Sequence, residues 1–167
     1  MNSYMKSIKI TPIKQRDSSA CGPTSIEMTL KYFDIPHTVA DITKVTSYKK
    51  DGGIYNKQLV SVLQHYGLKT KVLKNSSWEQ LMKLNTEGSV IILSWMLDGY
   101  IGHLSVLDRI DKEHIYLAEP TTGEILKINK IKFLRLWLDY EAKAEVPMYP
   151  ESKSDIQLRW MCIASKP

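Results

Sequence analysis

The chain reads as an α+β fold, with an N-terminal helical subdomain packed against a C-terminal antiparallel β-sheet. Three observations predict it. In the first half, apolar residues recur at helical spacing: Ile26, Leu30 and Phe33, then Tyr55, Leu59, Leu63 and Tyr66. From Val90 onward, short aliphatic runs at residues 90–95, 104–107 and 115–118 are separated by turns. The 167 residues contain no repeat, and that length suits one domain, residues 1–167, with a single core.

The elements follow in order. Ile8 and Ile10 alternate before Pro12, which predicts a short strand and then a polar loop. The helix through Ile26 starts at Cys21-Gly22-Pro23, since proline is tolerated in a first helical turn, and ends before Pro36. Thr38 with Asp41 reads as a cap for a short helix, and Asp51-Gly52-Gly53 as a turn. The helix from Tyr55 closes at Gly67. Leu68, Thr70 and Val72 then alternate as a strand, and Ser77 with Gln80 caps another helix that runs to Leu84. The three runs after Val90 give strands, with a turn at residues 111–113 between the second and third. Ile125 and Ile128 follow a turn at Pro120 to Gly123, and Ile131, Leu134 and Leu138 give a last helix. Residues 143–157 read as a loop, and Leu158, Trp160 and Cys162 as a final strand.

Composition narrows the function. The net charge of +5 comes from dispersed lysines, without the clustered basic and aromatic residues that nucleic acid binding needs. Two distant cysteines, Cys21 and Cys162, make neither a disulfide framework nor a metal-ligand pair, so no metal or cofactor is expected. The longest apolar run, residues 90–97, is too short for a membrane span, and residues 1–15 lack a signal-peptide pattern. A cytoplasmic protein with reduced thiols is the expectation.

Cys21 stands where a helix begins. Unpaired N–H groups and the helix dipole favour a thiolate there, although a lone cysteine is as often a small buried side chain. A base must accompany it. His37 sits beside a proline, His65 on the face of a helix and His114 after a charged turn, whereas His103 opens a strand behind a glycine. Glu119-Pro120 ends the neighbouring strand, where a carboxylate can orient His103. Asp108 points to the other face of its strand, and Asp111 lies at the far end of the hairpin. Gln15 stands six residues before Cys21 across a polar loop, a position similar to that of the oxyanion-holding glutamine of papain-like sites, although an isolated glutamine is usually a surface residue. Tyr55, Trp95 and Tyr100 are candidate groove residues.

Together these segments resemble the bacteriocin-processing, double-glycine-leader cysteine peptidases, a branch of the papain-like fold. The matching pieces are Gln15-x-Asp17-x-x-x-Cys21-Gly22-Pro23-Thr24-Ser25, Gly102-His103-Leu104-Ser105-Val106-Leu107, Ile115-Tyr116-Leu117-Ala118-Glu119-Pro120 with Gly123, and Phe133-x-x-x-Trp137. They cover about residues 12–138 and leave 139–167 as a loop and last strand. The resemblance implies a papain-like cysteine peptidase with a triad of Cys21, His103 and Glu119, and with Gln15 in the oxyanion hole. It implies a peptide or protein substrate, a leader cut after a double-glycine-type site, and association with a separate export transporter. A non-catalytic leader-binding module and an acyltransferase using the same residues are the alternatives. Two departures stand out: Glu119 replaces the family's usual aspartate, and Ala20 replaces a residue that is often polar.

Overall fold

The computed structural model describes residues 7–140 and 150–167. Four helices come first: α1 (Cys21–Tyr32), α2 (Val39–Thr46), α3 (Tyr48–Asp51) and α4 (Asn56–His65). Then follow β1 (Lys69–Leu73), α5 (Trp78–Leu84), β2 (Ser89–Leu97), β3 (Ile101–Ile110), β4 (His114–Glu119), β5 (Glu124–Asn129) and α6 (Lys130–Leu136). The chain closes with β6 (Leu138–Tyr140), β7 (Ile156–Leu158) and β8 (Met161–Ser165). Six strands form one sheet in the order β1-β8-β2-β3-β4-β5, every neighbour antiparallel, and β6 and β7 make a separate ribbon.

Strand alternation gives the sheet two apolar faces. Val90, Ile92, Leu104, Val106 and Cys162 pack under the N-terminal helices with Ile26, Leu30 and Leu59. Ile91, Leu93, Trp95 and Leu117 face the other way, against Trp78 of α5 and Phe133 of α6, with Trp137 just beyond. A buried aliphatic side chain contributes roughly 1.5–3 kcal/mol, so the two layers pin the sheet between helices. The caps at Thr38 and Ser77 form as the sequence implies, each side chain accepting from the N–H three residues on.

Several expectations shift. Ile8 and Ile10 are buried but form no strand. Lys9 has φ +61°, which breaks an extended run, and both isoleucine N–H groups bond to Asp108 instead. The Tyr48–Asp51 helix precedes the glycine turn that the sequence marks. Part of the expected 143–157 loop, residues 143–149, lies outside the described residues, and its far end contributes β7. Leu158 ends β7, and the last strand of the main sheet starts only at Met161.

Candidate active site

Helix α1 begins at Cys21, its first helical residue, and Ala20 at the N-cap gives no side-chain hydrogen bond. No side chain at the cap position therefore competes for the helix's first N–H groups, which remain near the sulfur. One turn on, Ser25 donates its hydroxyl to the carbonyl of Leu104 at 3.2 Å. That bond docks the Cys21 face of α1 onto β3, beside His103. Gly22 allows the approach from another side: a Cβ there would lie 2.3 Å from Ile54. Cys21 is half-buried, whereas Cys162 is fully buried in the core, where burial pushes its thiol up to about 12.

Strands β2, β3 and β4 position the rest. Trp95 pairs with His103 across β2 and β3, and the register of β3 with β4 sets Glu119 opposite Ser105. His103 and Ser105 share a face because they are two residues apart. The His103 ring meets Glu119 Oε1 through Nε2 at 2.6 Å. Oε1 also accepts from the Thr121 N–H at 2.8 Å, and Oε2 accepts from the Ser105 hydroxyl at 2.6 Å. Ser105 in turn accepts from the Trp95 indole N–H at 3.0 Å. The Trp95 ring stands edge-on to His103, with centroids 5.8 Å apart. His103 is 4% exposed and Glu119 1%, so this chain of bonds is almost dry.

Electrostatics follow from that geometry. Burial, the largest influence on His103, favours its neutral form. Hydrogen bonds to Cys21 and Glu119, and their charges, outweigh it and raise the imidazole to about 9. With Nε2 held by Glu119, the nitrogen left for Cys21 is Nδ1. Burial likewise pushes the Glu119 carboxyl upward, but His103, Ser105 and the Thr121 N–H together bring it below its ordinary value. A buried charge pair with all these bonds is a strongly organised site.

Cys21 and His103 both line one cleft. Residues 18–19 and 51–56 wall it on the helical side, and residues 101–104 and 139–140 on the sheet side. Gly102 permits this wall to form, since a Cβ there would lie 2.8 Å from Asp139 Oδ1. Asp139 is tied down by the Ser94 hydroxyl at 2.6 Å.

Of the four residues singled out from sequence, His103 and Glu119 are in direct contact, and Cys21 lines the same cleft as His103. Gln15 lies close by, its N–H donating to the Pro120 carbonyl at 2.7 Å, but it is not among the cleft-lining residues. Its side-chain oxygen is buried and finds no hydrogen-bond partner among the described residues. Asp108 is occupied by Ser7 and Ile10, and Asp111 by the N–H groups of its own turn. Tyr55 lines the cleft. Trp95 is core rather than groove, and Tyr100 stands 66% exposed outside the cleft lining. Ser105 and Trp95 were missed as supports of Glu119; the signal was the i, i+2 spacing of Ser105 from His103. Among the described residues no cluster of metal-ligating side chains occurs.

The family model for "Peptidase C39 family" matches residues 9–142. The chain belongs to the peptidase C39 family. It is therefore a cysteine-type peptidase, a hydrolase. A double-glycine-motif protease from an AMS/PCAT transporter, solved in complex with a leader peptide, superposes with a TM-score of 0.69 at 20% identity, covering 97% of this chain and 95% of that one. The peptidase domain of Streptococcus ComA, described as a bi-functional ABC transporter involved in quorum sensing, gives 0.70 at 13% identity, covering 95% and 100%. The same domain of Streptococcus mutans ComA with a small-molecule inhibitor gives 0.59 at 14%, covering 93% and 98%. At these identities the likenesses establish the C39 peptidase fold. No curated protein sequence matches. No helix among the described residues is long and apolar enough to cross a membrane.

Proposed function

We propose that this C39 peptidase cleaves a peptide bond through a triad of Cys21, His103 and Glu119, and that its substrate is a leader peptide cut after a double-glycine-type site. The observation that carries the reading is the buried His103–Glu119 contact at 2.6 Å, with His103 and Cys21 lining the same cleft. Two of the similar structures come from transporters, one of them a protease bound to a leader peptide, which supports a transporter as the partner.

The chemistry runs from the raised His103. As imidazolium, it stabilises the Cys21 thiolate beside it. The sulfur attacks the scissile carbonyl carbon, and the carbonyl electron pair moves onto oxygen. The Cys21 N–H and the Gln15 amide stabilise that oxyanion. His103 gives its proton to the leaving nitrogen, the C–N bond breaks, and a thioester remains on Cys21. Water then attacks the thioester, His103 takes its proton, and the acid departs. Glu119 keeps the ring in one orientation and tautomer throughout.

The test incubates synthetic leader peptides ending in Gly-Gly before the scissile bond with wild-type and Cys21→Ala protein, read by mass spectrometry. Cleavage after the glycines by wild type, and none by Cys21→Ala, is expected. Turnover by Cys21→Ala would sink the assignment of the nucleophile. Cleavage only of peptides without the glycine pair would sink the substrate.

A further inference from the structure

Residues 15–20 carry the two proposed oxyanion donors at their ends, Gln15 at the start and the Cys21 N–H immediately past the last residue. Three tethers hold this loop. The Gln15 N–H bonds to Pro120 at 2.7 Å. The Arg16 guanidinium contacts both oxygens of Glu27 on α1, at 2.8 and 3.3 Å. Its side chain is 41% exposed, so solvent screens this pair and it holds the loop only weakly.

Asp17 is the third tether, and it makes the most bonds. Its Oδ2 accepts from the Tyr48 hydroxyl at 2.8 Å, and its Oδ1 accepts from the Ser19 N–H at 3.0 Å. Its carbonyl accepts from the Ala20 N–H at 3.2 Å. One side chain thus shapes the turn before the nucleophile and ties that turn to α3. Tyr48 is 2% exposed, so the hydroxyl sits in a fixed place. The Tyr48 carbonyl also accepts from the Gly53 N–H at 2.9 Å. Residues 18–19 and 51–56 form the helical wall of the cleft, so Tyr48 joins both of its loops. Burial, then the bond to Asp17, hold the Tyr48 hydroxyl above its ordinary value, which keeps it a donor through neutral and mildly alkaline pH.

We propose that Asp17 and Tyr48 are positioning residues that set the oxyanion loop, fixing the Gln15 amide relative to the Cys21 N–H. The proposal rests on the oxyanion roles given to Gln15 and Cys21 above. It makes a selective prediction. Loosening the loop weakens steps in which negative charge builds on the substrate oxygen, and leaves the sulfur's own reactivity alone.

Two probes separate these. Iodoacetamide alkylates Cys21 without forming an oxyanion. An acetyl-Gly-Gly peptide aldehyde adds the sulfur to its carbonyl, and its oxygen occupies the oxyanion site. In Tyr48→Phe and Asp17→Ala, aldehyde affinity and kcat on the leader peptide fall about tenfold. KM and the alkylation rate stay within twofold of wild type. Asp17→Asn, which keeps an acceptor for Tyr48, retains most of the affinity. Unchanged aldehyde affinity in both Tyr48→Phe and Asp17→Ala overturns the positioning role. So does an equal fall in alkylation and aldehyde binding, which is the mark of general loosening. If wild type itself fails to bind the aldehyde, the oxyanion reading falls first and takes this proposal with it.

Discussion

Replacing Glu119 by glutamine is the sharpest probe of the buried network. Glu119 accepts three hydrogen bonds, two at Oε1 from His103 and Thr121 and one at Oε2 from Ser105. In Glu119→Gln, the amide oxygen at the Oε1 position keeps the first two, now without a charge. The amide NH₂ then faces Ser105, whose hydroxyl already accepts from Trp95 and must turn its hydrogen away. A buried donor left without a partner costs about 1–3 kcal/mol, which lowers Tm by several degrees. A hydrogen bond to a charged group contributes about 1.5–3 kcal/mol, so its weakening predicts a fall of roughly 10- to 150-fold in kcat/KM. The His103 imidazolium also loses its counter-charge, and the alkaline limb of the pH profile moves down from about 9. The assay is kcat/KM on a leader peptide from pH 5 to 10, with thermal melts in parallel. A variant within threefold of wild type, with its alkaline limb unmoved, would refute the view that Glu119 governs His103.

Further outcomes follow from other contacts. Glu119→Asp withdraws the carboxylate by about 1.5 Å, one bond length, while keeping its charge, so kcat/KM falls less than in Glu119→Gln, measured in the same assay. The folded-state value of His103 is raised, so its stabilising contribution is fully present below pH 6.5 and is lost as pH rises through about 9; urea unfolding at pH 6.5 and 9.5 should differ by roughly 3 kcal/mol from this source, and less in Cys21→Ala. Gln15→Ala removes one proposed oxyanion donor and lowers kcat about 10²- to 10³-fold; a loss under threefold would exclude that role. Native alkylation followed by peptide mapping should label Cys21 and spare Cys162, which reacts only in denaturant. Gly22→Ala overpacks Ile54 and destabilises by about 1–3 kcal/mol in chemical denaturation, and Ile54→Ala in the same protein, which removes the Cγ1 and Cδ1 atoms it meets, recovers part of the loss.

The elements with strong periodicity were legible in the sequence, and so was the α+β class. Ile26 and Leu30 on α1, or Leu59 and Leu63 on α4, repeat often enough to fix both type and face. That Cys21 and His103 line one cleft, with Glu119 bonded to the His103 ring, has a local basis. Cys21 opens α1, His103 lies near the start of β3 and Glu119 ends β4, and such places are where a chain emerges from the core. What escaped depends on contacts between distant segments. Ile8 and Ile10 alternate like a strand, but their N–H groups bond to the Asp108 carbonyl and carboxylate, about a hundred residues away, and no local pattern encodes that. The β6–β7 ribbon consists of three-residue strands, too short to show a period. Ser105 looks like any polar residue in a strand until the register sets Glu119 beside it. Tyr48 becomes informative only when Asp17 is seen at its hydroxyl.

The place of β8 bears on how the chain matures. This strand lies between β1 and β2, so residues 161–165 fill a slot in the interior of the sheet. While the polypeptide is still emerging from the ribosome, β2 lacks a neighbour on one side and α1 has only part of its floor. β8, made after the strands on either side of it, behaves like a keystone. Hydrolytic competence should arrive after it slots in, which spares nascent neighbours from a half-built protease.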